Sequence, residues 1–480
     1  MLVCRMNVIL IVSDTLRRDY LGCYGNEWVS TPNIDKFARK SIVFDNAYAA
    51  SFPTVPARRD IITGKYSYVY AGWEPLAGNE IVLSEILRKN GYVTMLIADT
   101  PHFLRDGYNF QRGFNGWIWI RGQENDNYLT DDIEIKFPCD PRKLRNPYRT
   151  VVQYLRNISR RRFESDYFVA QTMSEAVRWL EKNYTHEKFF LYVDTFDPHE
   201  PWDPPKYYVD LYDPDYKGEE VFYPVYGPVD YLSKEELKHV RALYAGEVTL
   251  VDRWVGKLLD KVEDLDLFSN TMIIFTTDHG FFFGEHGLIG KSIIPPEGKF
   301  SYAPLYEEIA HIPFILYHPE IKGGWRCKEI VQLPDIFPTI IDFTRSEMPR
   351  NIGGKSIIPL ISGEKEYIHK LAITSPTIIH GTIAGVRTTI TTKEWSLIYG
   401  GRQTLGKEYV TNVIDGMPKP VTTEIKVRPE LYNLKRDPMQ KENIYDSNID
   451  VAEKLHAIYI DFLRKTGVGE DIIKPWLYLE

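Results

Sequence analysis

The residues of this chain best suited to chemistry stand where apolar runs stop. Ile9-Leu10-Ile11-Val12-Ser13 ends on Asp14, and Ile273-Ile274-Phe275-Thr276-Thr277 ends on Asp278-His279-Gly280. Both runs read as buried strands, and in open α/β sheets functional groups gather at the carboxyl ends of strands. Two carboxylates and an imidazole meeting across such a sheet suit a divalent cation such as Mn²⁺, Mg²⁺, Ca²⁺ or Zn²⁺. A single acid at a strand end serves equally well as a cap or turn residue, so the metal assignment depends on the two ends coming together. A third element is Ser51-Phe52-Pro53-Thr54-Val55-Pro56-Ala57-Arg58, which runs on to Thr63-Gly64. Thr54 lies just before a proline-started helix expected over 56–63, where free N–H groups and the positive dipole end favour an anion. Arg58, four residues on, shares its face. Together they make a coherent oxyanion site with a hydroxyl nucleophile; the alternative is an ordinary N-cap threonine and a solvated arginine.

The elements that must position these groups follow from periodicity. Strands are expected over 7–13, 92–98, 188–195, 270–277 and 312–317, and helices over 32–40, 56–63, 80–90, 166–184, 234–263 and 334–344. Thr31-Pro32 supplies a cap residue and a first-turn proline for the first helix. The alternation implies βαβ units and a doubly wound, mostly parallel α/β sheet. Residues 101–165 and 200–231 are rich in Pro, Tyr, Asp and Arg with weak periodicity, and are expected as surface excursions that shape a binding site. Trp117, Trp119, Trp202, Tyr207 and Tyr208 within them are candidates for stacking on a substrate ring. From about 371 the character changes to short alternating segments (383–390, 395–399, 422–427) and a final helix near 450–465. That divides the chain into a catalytic domain, 1–370, and a small C-terminal antiparallel α+β subdomain, 371–480.

Composition narrows the function classes. Lys+Arg 58 against Asp+Glu 66 leaves a net charge of −8, which argues against a nucleic-acid polymer as partner and leaves room for a local cationic pocket. Cys4, Cys23, Cys139 and Cys327 are scattered without a C-x-x-C pair, so neither a disulfide framework nor a zinc knuckle is indicated. The apolar run at 8–12 is too short for a signal peptide, and no stretch approaches the ~20 apolar residues of a membrane helix. A cytoplasmic protein with no membrane partner is expected.

At this point the chain resembles a known family. Thr54 to Gly64 is similar to the sulfatase signature, in which Cys or Ser, any residue, Pro, a small residue and Arg precede an apolar pair and Thr-Gly. Asn7 to Asp19 with Leu21-Gly22-Cys23-Tyr24-Gly25 resembles that family's metal-binding start. Asp197-Pro198-His199-Glu200-Pro201-Trp202, Gly284-Glu285-His286-Gly287 leading to Lys291, and Leu431-Tyr432-Asn433-Leu434 leading to Pro438 match further segments in order. The resemblance implies the alkaline phosphatase superfamily fold. It implies Asp14, Asp278 and His279 as metal ligands, and Thr54 as a nucleophile that also touches the metal. It further implies Arg58 as its orienting arginine, and His199 and Lys291 as contacts to the anionic oxygens and the leaving group. Relatives of this architecture are frequently dimers or tetramers, so a homo-oligomer is a further expectation.

The departures from the pattern carry chemistry of their own. The family's sulfate-ester hydrolases carry Cys or Ser at the nucleophile position, oxidised to formylglycine; a threonine, being a secondary alcohol, cannot give that aldehyde. An unmodified threonine is similar instead to the phosphodiesterase branch. Thr15 replaces the second acid and His279 the usual asparagine, a softer and less negative set that favours Mn²⁺ or Zn²⁺ over Ca²⁺ and resembles phosphonate monoester hydrolases. Asp99-Thr100-Pro101-His102 stands where Lys-x-His is usual, with Thr100 and His102 expected as substitute substrate contacts alongside Thr15. Fewer cations favour a singly charged diester or phosphonate monoester over a dianion. The leading expectation is a Mn²⁺-dependent hydrolase of small anionic phosphodiesters or phosphonate monoesters, with sulfate esters as a side activity. The alternatives are a sulfatase whose modifiable Cys or Ser has been replaced by Thr, and a catalytically silent anion-binding paralogue. His286 and His311 are expected to be structural, Asp197 to shape the turn presenting His199, and 292–304 to form part of the pocket rim.

Overall fold

Apolar runs that alternate between two hydrophobic environments dictate a sheet covered on both faces, and the computed structural model has one. It describes residues 6–294, 301–379, 386–402, 407–424 and 428–479. The central sheet has eight strands: β1 (Asn7–Ser13), β2 (Ile42–Tyr48), β3 (Val93–Ala98), β4 (Gly116–Trp119), β5 (Phe189–Thr195), β6 (Thr271–Thr276), β7 (Phe314–Tyr317) and β8 (Trp325–Gln332). Their order is β8-β2-β7-β6-β1-β5-β3-β4. Only β7 runs antiparallel to its neighbours. In β1, Ile9 and Ile11 enter one core with Phe168, Met173 and Val255, while Val8, Leu10 and Val12 enter the other with Val55, Ile61 and Ile340. Each such fully buried aliphatic side chain contributes about 1.5–3 kcal/mol, and their alternation fixes the register that carries Asp14 to the sheet's edge.

All five expected strands and all six expected helices are present, with ends shifted by a few residues. The helix start at Pro32 differs in its cap: Thr31 makes no side-chain cap bond, and the N–H groups of Asn33 and Ile34 donate instead to Asp252 (3.1 and 2.7 Å) on the long helix Lys234–Asp264. That helix opens on a capping box, in which Ser233 Oγ accepts from Glu236 N (3.1 Å) and the Glu236 carboxylate accepts from Ser233 N (2.9 Å). The excursions require a larger correction. Leu144, Val151, Tyr154, Trp202, Val221, Tyr223 and Val225 all belong to the core beneath one face of the sheet. Irregular backbone buries apolar side chains without leaving a period to read.

The C-terminal sheet runs Glu430–Asn433, Trp395–Tyr399, Thr388–Thr391, Ala372–Pro376 and then Ser51–Phe52, a two-residue strand from the N-terminal part of the chain. The helix Ile449–Lys465 packs on it through Ala452, Tyr459 and Leu463 against Ile390 and Leu397. Of the segments expected here, 383–385 and 425–427 lie outside the described residues. A separate hairpin, Lys407–Ile414 with Met417–Glu424, reaches back to the strand Tyr226–Pro228, where Thr411 Oγ1 donates to the Tyr226 carbonyl (2.9 Å). Among the described residues no helix is long and apolar enough to cross a membrane.

Asp60 ties these parts together. Its buried carboxylate accepts from Ser51 N (2.7 Å), Ser51 Oγ (2.8 Å) and Ser67 N (2.7 Å). Asp60→Ala leaves two backbone donors and a hydroxyl without their acceptor, and is expected to cost about 2–4 kcal/mol in a urea unfolding curve. A loss indistinguishable from zero would refute this role.

Candidate active site

The sheet brings the strand tips together as the sequence requires. Asp14, Asp278 and His279 are all fully buried, and they offer ligand atoms within 4.8 Å of one another. Thr15, at φ 59, bends the chain behind them; its N–H donates to Asp278 Oδ1 (3.0 Å) and its hydroxyl to Asp14 Oδ1 (2.6 Å). A β-branched residue rarely adopts this conformation, so the two bonds to the acids hold a strained turn. His279 Nδ1 faces the Gly280 carbonyl (3.0 Å), which makes Nδ1 the protonated nitrogen and leaves the Nε2 lone pair facing the site. Burial pushes the His279 imidazole down to about 3, so it is neutral.

Thr54 is the first residue of the helix Thr54–Thr63, two residues earlier than the sequence suggests, with Pro53 as its N-cap. Arg58, one turn on, is not a solvated charge. Its guanidinium is fully buried and bridges three acids: Asp14 (2.8 Å), Asp278, and Asp194 through both Nη2 (2.9 Å) and Nε (3.1 Å). Burial raises the Asp14 carboxyl and facing Asp278 adds to the rise. The same burial acts on Asp278, but the Arg58 and Lys291 charges and the Thr15 N–H hold it below the ordinary carboxylate range.

Lys291, on the strand Leu288–Ile294, joins the two halves of the site. Its ammonium lies 3.5 Å from Thr54 Oγ1, 2.8 Å from His199 Nε2 and 3.2 Å from His279 Nε2. His199 Nδ1 faces the Glu200 carbonyl (2.7 Å), so its Nε2 also presents a lone pair. Burial, and then the Lys291 charge, push His199 well below the ordinary imidazole range. Lys291 is therefore the proton-bearing group at Thr54, flanked by two neutral acceptors. This arrangement can hold an anionic oxygen beside the threonine hydroxyl and pass a proton between Nζ and an imidazole Nε2.

The residues fit a divalent cation. The fully buried Asp14 Oδ2 has the Arg58 ion pair (2.8 Å) as its polar contact, and the donor set is two carboxylates and one imidazole with its lone pair directed inward. Asp14, Asp278, His279 and Thr54 would hold the ion, which supplies Lewis-acid stabilisation of charge on the transferring group. Adding Mn²⁺ to chelator-treated protein is expected to raise its stability, by about 2.7 kcal/mol at a hundred times the dissociation constant. The rise should vanish in Asp278→Asn; a metal-independent unfolding midpoint in the unaltered chain would argue against a metal centre.

Above these groups opens a cleft of about 340 Å³ walled by Thr54, Lys291, His199, His102, Trp73 and Arg105, among others. His102 thus reaches it as expected. Thr100 and Thr15 do not: Thr100 Oγ1 donates to Asp194 (2.7 Å), as Thr15 does to Asp14, so both hold acids in place. Of the rim at 292–304, Ile294 and Tyr302 line the cleft, while 295–300 lie outside the described residues. The aromatic walls are Trp73, Phe52, Tyr226 and Tyr302 in place of the tryptophans expected. Trp202 is wholly buried, its indole N–H donating to the Pro198 carbonyl (2.8 Å) beneath His199. Asp197 accepts from Val169 N (3.0 Å) and from Gln123, anchoring that turn. His286 and His311 are structural: His286 stacks on Tyr306 and His311 Nε2 meets the Asp45 carbonyl (2.6 Å).

Four residues the sequence did not single out now matter. Asp194 is the main anchor of Arg58, and Glu124 lies 3.0 Å from His102 Nε2. Arg145 bridges Glu124 (3.2 Å) and Glu200 (2.6 Å) beneath the cleft, and Arg105 forms part of its wall.

Residues 6–346 match the sequence profile of the Sulfatase family. The chain belongs to the sulfatase family. It is an ester hydrolase of that family, with the fold of the alkaline phosphatase superfamily. It is 26% identical to an arylsulfatase of Clostridium perfringens, over 97% of this chain and 94% of that protein. With arylsulfatase K of Homo sapiens it shares 25% identity over 94% and 82% of the two chains. Among solved structures, the phosphonate monoester hydrolase of Agrobacterium radiobacter superposes with a TM-score of 0.71 at 18% identity, over 96% of this chain and 95% of that one. A protein solved with its substrate D-glucosamine-2-N,6-O-disulfate gives 0.69 at 20% identity, over 98% of both. The sulfatase-family fold therefore accounts for the large, mostly parallel sheet with its smaller antiparallel sheet.

Proposed function

We propose that this sulfatase-family chain is a Mn²⁺-dependent hydrolase that cleaves phosphodiester or phosphonate monoester bonds, with Thr54 as nucleophile. The observation that carries this reading is an unmodified threonine hydroxyl at a helix N-terminus, 3.5 Å from the Lys291 ammonium and beside a two-carboxylate, one-imidazole cluster. Threonine cannot become formylglycine, so its own oxygen must attack. Attack by Oγ1 forms a covalent threonine ester and expels the alcohol, and water then cleaves that ester to regenerate the hydroxyl. In this scheme Lys291 binds the non-bridging oxygens, and the His199 Nε2 lone pair takes up a proton from Lys291 Nζ and passes it to the leaving alkoxide. Arg58 fixes the acids around the nucleophile, and His102 contacts the departing group. Mn²⁺ is the preferred ion because one imidazole joins only two carboxylates.

Sulfate-ester hydrolysis is the second reading, favoured by the similarity to curated arylsulfatases. A rate panel with Mn²⁺ decides between them, using 4-nitrophenyl sulfate, 4-nitrophenyl phosphate, 4-nitrophenyl phenylphosphonate and bis-4-nitrophenyl phosphate. The expected order places the diester and the phosphonate first. Faster turnover of the sulfate would reverse the assignment, and binding without turnover of any ester would revive the silent anion-binding alternative. Small anionic esters are the proposed partners, and the proposed setting is cytoplasmic, with which the unpaired Cys23, Cys139 and Cys327 are consistent.

A further inference from the structure

The cations around the cleft are not equivalent. Arg58 lies beneath it, neutralised by Asp14, Asp194 and Asp278. Arg145 is spent on Glu124 and Glu200. Among the described residues Lys291 has no carboxylate within 4.0 Å, but it sits at Thr54 and serves the reacting group. Arg105 remains. It lines the cleft on the side of Trp73 and His102. Among the described residues, its only polar partners are neutral, both through Nη2: His102 Nδ1 (2.9 Å) and Asn125 Oδ1 (3.1 Å). Its Nε and Nη1 have no protein partner there. Glu124, the one acid among the described residues of the cleft wall, does not supply the missing charge, because Arg145 (3.2 Å), His102 (3.0 Å) and the Tyr223 hydroxyl (2.6 Å) already surround it.

A half-buried guanidinium held in place by two neutral groups, with its remaining N–H groups open to a cleft, is a pre-oriented fork for a second anion. We propose that Arg105 forms an anion subsite for the departing group, so that the preferred substrates are esters whose leaving alcohol carries its own carboxylate or sulfonate-type charge. This rests on the ester-hydrolase reading above and adds to it a substrate class, with two negative groups at separate ends of the cleft. Lys291 takes the reacting one and Arg105 the other. Trp73, more than half covered and with its ring 5.2 Å from that of His102, provides an apolar wall on the Arg105 side of the cleft.

The test compares the phenylphosphonate esters of 4-nitrophenol, 4-hydroxy-3-nitrobenzoate and 4-hydroxy-3-nitrobenzenesulfonate, with the chain as it stands and with Arg105→Gln. A charge-assisted pair of this kind is expected to lower KM for the charged esters by about 10- to 100-fold relative to the neutral one, with kcat little changed. Arg105→Gln should erase that advantage, so that within the variant the charged and neutral esters have equal KM values. The carboxylate and sulfonate arms show which anion the fork prefers. Calorimetric binding of the free leaving alcohols is measured alongside, so that the subsite is judged even if no ester is turned over. Absence of turnover with Arg105-dependent binding would fault the reaction assignment alone. Equal KM values for charged and neutral esters, or binding that Arg105→Gln leaves unchanged, would overturn the subsite.

Discussion

Thr54→Ala is expected to lose about 10³- to 10⁶-fold in kcat while keeping its fold, the range seen when a covalent nucleophile is removed and the stabilising groups remain. The reasoning follows from the geometry. Thr54 Oγ1 is the hydroxyl that faces Lys291, and His199, His279 and Lys291 all converge on that side of the helix terminus. Deleting the oxygen removes the atom that would bond to phosphorus or sulfur, but leaves the acids, Arg58 and the cleft untouched. Thr54→Ser restores a hydroxyl and should retain turnover. Mass spectrometry of quenched reactions should detect a threonine ester in the unaltered chain and none in Thr54→Ala. Residual activity within tenfold of the parent would exclude Thr54 as nucleophile and would instead favour a water attacking directly.

Arg58→Met is expected to produce the largest loss of stability of any single change at the site, roughly 3–5 kcal/mol without metal. The guanidinium is fully buried and holds Asp14, Asp194 and Asp278. Removing it leaves three acids in a dry pocket with Lys291 as the nearest cation, and an uncompensated buried charge is costly in a way that loss of a surface ion pair is not. Arg58→Lys keeps the charge but not the fork, so it should recover only part of the loss. Mn²⁺ should recover more in Arg58→Met than in the parent, because it supplies to Asp14 and Asp278 the positive charge they have lost. Urea unfolding with and without the ion measures both effects. A variant as stable as the parent in chelator would mean that these acids are not held as charges in the folded chain.

Much of the frame was legible in the sequence because buried parallel strands announce themselves as unbroken apolar runs. Asp14 and Asp278-His279 stood out for the same reason: each ends such a run. Strands β2, β4 and β8 were missed because edge or near-edge positions allow polar interruptions, such as Asp45-Asn46 in β2 and Arg326, Lys328 and Glu329 in β8. Asp194 was passed over for the opposite reason, since it lies inside the run of β5 and was counted as part of it. The available signal was physical: an acid within a wholly buried strand demands a buried cation, and Arg58 is that cation. Glu124, Arg105 and Arg145 come from the irregular stretch 101–165, where no period shows which side chains turn inward. Trp202 illustrates the same limit, because a tryptophan in a proline-rich segment reads alike whether it stacks on a ligand or fills the core.

The pairing of Ser51–Phe52 with Ala372–Pro376 joins the approach to Thr54 to a sheet built largely from the last quarter of the chain. During synthesis the central sheet can assemble as its own strands emerge, but the two residues leading into Thr54 find their neighbours only after Pro376 has left the ribosome. A nascent chain ended before Pro376 would possess the acids and the arginine yet lack the strand that pairs with the approach to Thr54.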